Sequence, residues 1–137
     1  VLKPGGRIIL VEPAITPLSY PFYHWLHEEP VDMSWQPNPK CRPDPHKDPY
    51  DSNQAIPTLL FGKYKNSFAT NADLPFTVIT KKYLSLFVYP LSGGFKSWSL
   101  LPTFLAQTLI KIDDMLAFFL GRFLGFRLLV VLEKANR

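Results

Sequence analysis

The opening segment Val1–Pro13, VLKPGGRIILVEP, constrains the fold more than any other part of the chain. Pro4 fixes its own φ, and Gly5 and Gly6 permit a tight reversal that residues with a Cβ resist. Ile8–Val11 is then an unbroken run of β-branched and aliphatic residues. Such a run predicts a strand covered on both faces, as in a parallel α/β sheet. Glu12 and Pro13 end it. A carboxylate leaving the carboxyl end of such a strand stands where open α/β sheets bind ligands. Glu12 is therefore a candidate substrate-binding residue; the alternative is a side chain that merely faces water.

Downstream, Pro21 suits a helix start, and a short helix is expected over Phe22–Glu28, stopped by Pro30. On it His24 and His27, and likewise His24 and Glu28, would share a face. Residues 34–51 hold Pro37, Pro39, Pro43, Pro45 and Pro49, which forbid regular helix and central strand. This reads as a long loop, either a lid over a ligand or a disordered insert. Asn53–Lys65 is expected to be helical, capped by Ser52 or Asn53 with Pro57 in its first turn. Phe76–Thr80 is a short candidate strand, and Tyr83–Tyr89 a stronger one by its aromatic and β-branched content.

Leu100–Leu120 carries the clearest helical period: Leu105, Leu109, Ile112, Leu116 and Leu120 recur at three and four. Ser99 is its expected cap and Gly121 its expected close. The opposite face is also apolar, with Phe104, Met115 and Phe118. That means burial between two elements or contact with a membrane surface or a lipid-like substrate. Lys111, Asp113 and Asp114 argue against a membrane span. Phe126–Leu132 reads as the last strand.

The segment LKPGGRIILVEP resembles the fifth-strand region of the class I S-adenosylmethionine-dependent methyltransferases, especially the bacterial type 11 group. Arg127–Lys134, RLLVVLEK, resembles the seventh and last strand of that fold. The middle of the chain matches only in outline. The resemblance implies an α/β fold: the C-terminal part of a Rossmann-like methyltransferase sheet, strands five to seven, with a Pro-rich insertion at residues 34–51 and an apolar helix. Strand seven would run antiparallel between strands five and six, with Tyr83–Tyr89 as strand six. The family's Gly-rich turn and its acidic residue lie in the first half of the domain, and no G-x-G-x-G stands in this chain. The expectation is the C-terminal half of a longer enzyme, inactive alone. S-adenosylmethionine would be bound mainly by the N-terminal half, and the acceptor would be a small molecule or lipid-like.

Within this half, His24 and His27 are the candidate catalytic residues, as a base or substrate orienter, because imidazole titrates near neutrality. Tyr23, Glu28 and Trp35 join Glu12 as candidate substrate-binding residues. Each has a plainer reading, as a core or solvated side chain. No metal is expected: the spacing of His24, His27, Cys41 and His46 matches no zinc signature. Asp113 and Asp114 read as a solvated face.

A net charge of +4 is scattered, without a basic run interleaved with aromatics, so no nucleic-acid partner is expected. The single cysteine, Cys41, excludes an internal disulfide and fits the reducing cytoplasm. With 47% apolar residues and 11 Phe, some apolar surface should stay exposed if half of the domain is elsewhere. Two rival functions follow from the same residues. One is a non-catalytic interaction or membrane-associated domain, from the apolar helix. The other is a different Rossmann-like enzyme such as a dehydrogenase, because the glycine turn does not name a cofactor.

Overall fold

The computed structural model describes residues 2–38, 46, 52–66, 76–94 and 98–135. In chain order the elements are β1 (Arg7–Pro13), α1 (Ser19–Leu26), α2 (Ile56–Leu60), β2 (Phe76–Leu84), α3 (Val88–Leu91), α4 (Thr103–Leu124) and β3 (Arg127–Lys134). The strands form one sheet in the order β1-β3-β2, with the C-terminal strand in the middle. It runs antiparallel to both neighbours: Ile8 pairs with Leu132 and Leu10 with Val130, while Tyr83 pairs with Leu128. The fold is thus a small α/β arrangement on an open antiparallel sheet.

The glycine turn forms as expected. Gly5 takes φ 72°, and the Gly6 amide donates to the Lys3 carbonyl at 2.9 Å. The turn is also tied to the end of β3, through Gly5 N–H to the Lys134 carbonyl and Lys134 N–H to the Gly6 carbonyl.

Alternation along β3 then sorts the sheet into two faces. Leu128, Val130 and Leu132 point inward and pack with Ala14 and Phe61, flanked by Ile8 and Leu10. A second cluster gathers Ile15, Tyr23, Ala55 and Leu59 around Phe126. The other face of β1 is not covered: Ile9 is 68% and Val11 54% exposed. The expected two-sided burial of this strand therefore does not occur within the described residues, and its only sheet neighbour there is antiparallel.

Several boundaries differ from the sequence reading. Helix α1 starts earlier and stops at Leu26, with His27 already extended at φ −102° and ψ 148°. His27 and Glu28 therefore lie beyond the helix and share no helical face with His24. The second helix is confined to Ile56–Leu60; Pro57 sits in its first turn, and Asn53 Oδ1 accepts the Ala55 amide just before it.

The second strand is Phe76–Leu84, not Tyr83–Tyr89. Ser85 reverses the chain at φ 59°, and Val88–Leu91 is a helical turn. Local β propensity in Tyr83–Tyr89 is overridden because the Asp113 carboxylate captures the amides of Leu86 and Phe87, at 2.8 and 2.7 Å.

Helix α4 runs four residues past the expected stop. Gly121 lies inside it, Pro102 rather than Ser99 precedes it, and Gly125 caps its end. Its buried stripe is Asp113, Ala117 and Gly121, not the leucine row. Small residues win that position because the helix approaches β2 closely: a Cβ on Gly121 would lie 2.6 Å from Tyr83 Cβ. Leu105, Ile112 and Leu120 are left exposed on the flank.

Candidate functional site

The chain leaving α1 is stitched to the segment before α2. The Gln54 amide N–H donates to the Pro30 carbonyl at 3.0 Å. Asn53 then ties down the loop twice: its Oδ1 accepts the Asp32 amide and its Nδ2 donates to the Asp32 carbonyl, at 2.9 and 2.8 Å. The Asp32 carboxylate accepts both the amide and hydroxyl of Ser34, which holds its pKa below the usual carboxylate range. These bonds place Gln54 against the residues that follow α1.

The Gln54 side chain is buried and its Nε2 donates to Glu29 Oε2 at 2.7 Å. The same nitrogen lies 2.6 Å from His27 Nδ1, which also accepts the Glu29 amide at 3.2 Å. Two donors converge on that ring nitrogen, so Nδ1 carries the lone pair. Reversing the amide would set its oxygen against the Glu29 carboxylate, so the Nε2 assignment follows from the chemistry. Gln54 Oε1 is consequently left buried without a hydrogen-bond partner among the described residues. A buried carbonyl oxygen in that state costs roughly 1–3 kcal/mol until a donor reaches it.

Gln54 and Glu29 line a cavity of about 480 Å³ that also takes in Glu12 and Pro13 from the end of β1. Leu10, Ile56, Leu60 and Phe61 supply its apolar wall, and Ser52 and Asn53 part of its rim. Its polar side chains are mainly acceptors: the Glu12 carboxylate, the Glu29 oxygen not taken by Gln54, and the buried Gln54 Oε1, with the Ser52 hydroxyl able to donate or accept. A pocket of that character complements a ligand bearing hydroxyl or amine donors beside an apolar body.

The other residues singled out from the sequence lie elsewhere. His24 is exposed and stacks on Tyr20, with ring centroids 5.4 Å apart. Tyr23 is committed to the core: its ring is 1% exposed and its hydroxyl donates to the Phe126 carbonyl at 2.6 Å. Glu28 is exposed, and its neighbour Glu29 is the carboxylate that turns inward. Trp35 packs edge-on against Tyr64 in the second cluster. Of the histidines, His27 is the one brought to the site, and it stands behind Gln54 rather than in the cavity wall.

Gln54 and Glu29 escaped the sequence reading. Gln54 ends a polar run, Asp51–Gln54, before α2, and nothing in that run marks it as buried. Most of the proline-rich segment, including Cys41 and Tyr50, and the irregular stretch 67–75 lie outside the described residues. Among the described residues no group of three or more His, Cys, Asp and Glu side chains could hold a metal ion.

Comparison with protein-family models, with characterised proteins and with solved structures gave no match.

Proposed function

We propose that residues 1–137 are the C-terminal part of an S-adenosylmethionine-dependent methyltransferase, acting on a small-molecule or lipid-like acceptor with a hydroxyl or amine nucleophile. The observation that carries this reading is the strand order: the last strand lies reversed between β1 and β2. That is the arrangement the resemblance implies for strands five, seven and six. The bare outer face of β1, with Ile9 and Val11 in solvent, supports it further. Further strands of the same sheet would join at the free edge of β1, and the helices connecting them would cover that face.

The cofactor supplies an electrophilic methyl group when bound. The described residues do not fit it: they hold no G-x-G-x-G turn, which the resemblance implies for its binding. This chain's share is the acceptor side. In this reading Glu12 and Glu29 accept hydrogen bonds from the acceptor, and one of them receives the nucleophile's proton as the methyl group is transferred. Gln54 Oε1 gains the donor it lacks. His27 acts as a positioning residue, holding the Gln54 side-chain amide at the pocket. Alignment of nucleophile and methyl group supplies much of the rate in such transfers.

The test is methyl transfer from labelled S-adenosylmethionine by the full-length protein, against a panel of hydroxyl- and amine-bearing acceptors. Label should pass to an acceptor, and Glu12→Gln should lower kcat/KM by about tenfold or more. Oxidation of an alcohol with a nicotinamide cofactor and no methyl transfer would instead establish the dehydrogenase reading.

A further inference from the structure

We propose that the outward face of α4 docks the protein onto an anionic lipid bilayer. The helix touches the rest of the fold through its stripe of Asp113, Ala117 and Gly121. Phe104, Lys111, Met115, Phe118 and Arg122 follow at spacings of seven, four, three and four, which sets them in one line turned away from that stripe, with Phe118 and Arg122 bordering the cleft to β2. Phe104 is 82% and Phe118 85% exposed, and Met115 and Phe119 are also in solvent. Exposed aromatics with interspersed cations are the composition of a helix lying in the membrane interface. Trp98, also exposed just before the helix, suits headgroup depth.

Charge selects the occupant. The face carries Lys111 and Arg122, and Lys82 lines the cleft between α4 and β2 together with Arg122. Among the described residues the ion pair is Arg7–Glu133, so none of these three cations is neutralised by a salt bridge. Asp113 is turned inward onto two amides, and Asp114, which lines the same cleft as Lys82 and Arg122, leaves the group of cations in excess. A second copy packed symmetrically on this face would bring Lys111 and Arg122 against their own counterparts. An extension of the sheet joins at the free edge of β1, whereas α4 lies on β2, on the far side of β3. An anionic bilayer satisfies both the aromatics and the cations, and no helix among the described residues is long and apolar enough to cross it.

Docking is independent of the transfer chemistry and is measured without it. The full-length protein is sedimented with vesicles of phosphatidylcholine alone and of phosphatidylcholine mixed with phosphatidylserine. Binding is expected on the mixed vesicles and to weaken as salt rises. Arg122→Glu should reduce it by about tenfold or more, since each surface cation contributes about a fivefold factor near an anionic leaflet. Arg122→Lys should retain it, and Phe118→Ser with Phe119→Ser should abolish it without lowering thermal stability. Equal binding to neutral vesicles, or binding indifferent to these substitutions, would overturn the proposal. So would a dimer that the Phe118→Ser and Phe119→Ser pair converts to monomer, with no vesicle binding by the parent protein.

Discussion

Gly121 of α4 lies so close to Tyr83 of β2 that a Cβ at Gly121 would come within 2.6 Å of Tyr83 Cβ. Two effects compete when Gly121 is replaced by Ala. Helix propensity favours Ala by about 1 kcal/mol. The clash falls on the root of the tyrosine side chain, which cannot swing away, and overpacking of that kind costs about 1–3 kcal/mol. The net expected result is a lower denaturation midpoint for Gly121→Ala. A midpoint raised by the propensity gain would mean that the helix stands off the sheet.

The Asp113 carboxylate joins α4 to the chain reversal after β2 by accepting the Leu86 and Phe87 amides. Asp113→Ala removes a charged acceptor and strands two amides, one of them buried. Chemical denaturation should register a loss of about 2–4 kcal/mol. Asp113→Asn keeps one acceptor oxygen and should recover part of it, while Asp114→Ala, on the exposed neighbour, should be nearly silent.

Alkaline stability turns on Tyr23. Burial raises its pKa well above the ordinary tyrosine range, against a smaller pull downward from Arg127, and burial also raises Tyr83. A group whose pKa is raised by folding stays protonated in the folded state after the unfolded chain has begun to ionise. Its contribution is complete below about pH 10 and is lost as pH climbs beyond that. Tyr23→Phe should cost about 0.5–1.5 kcal/mol at neutral pH, because the hydrogen bond to the Phe126 carbonyl goes. It should also make stability fall less steeply above about pH 10. Urea melts of both proteins across that range measure the difference; an unchanged slope in the variant would count against a buried, bonded phenol.

The pocket at the end of β1 makes a kinetic prediction. Gln54→Leu removes the unpartnered Oε1 and the donor shared by Glu29 and His27. In the full-length protein the acceptor KM should rise by roughly tenfold, the equivalent of one lost hydrogen bond of about 1.4 kcal/mol. His27→Ala should shift it less and in the same direction. The double variant should resemble Gln54→Leu alone, because His27 acts through Gln54. His24→Ala should leave KM unchanged.

What the sequence revealed and what it hid have separate physical causes. The turn at Gly5 and the strands at Arg7–Pro13 and Arg127–Lys134 were legible, because glycine backbone freedom and continuous apolar runs are local signals; that the two strands pair came only from the resemblance. The capture of the Leu86 and Phe87 amides by Asp113 was not, because the partners are 26 and 27 residues apart. A carboxylate beside Asp114 on a helix reads as solvated until the chain reversal at Ser85 is seen. The leucine row of α4 misdirected the reading of its buried side for a related reason. Close approach to β2 selects Ala117 and Gly121, and hydrophobic periodicity is blind to that selection. At the site, Glu12 was visible from its place at a strand end. Glu29 was indistinguishable from Glu28 until the end of α1 at Leu26 decided which of them turns inward.

Whether S-adenosylmethionine binds is measured by titration calorimetry on the full-length protein and on residues 1–137 alone. Binding is expected for the former and none for the latter. Micromolar binding by residues 1–137 alone, or no binding by the full-length protein, would contradict that expectation.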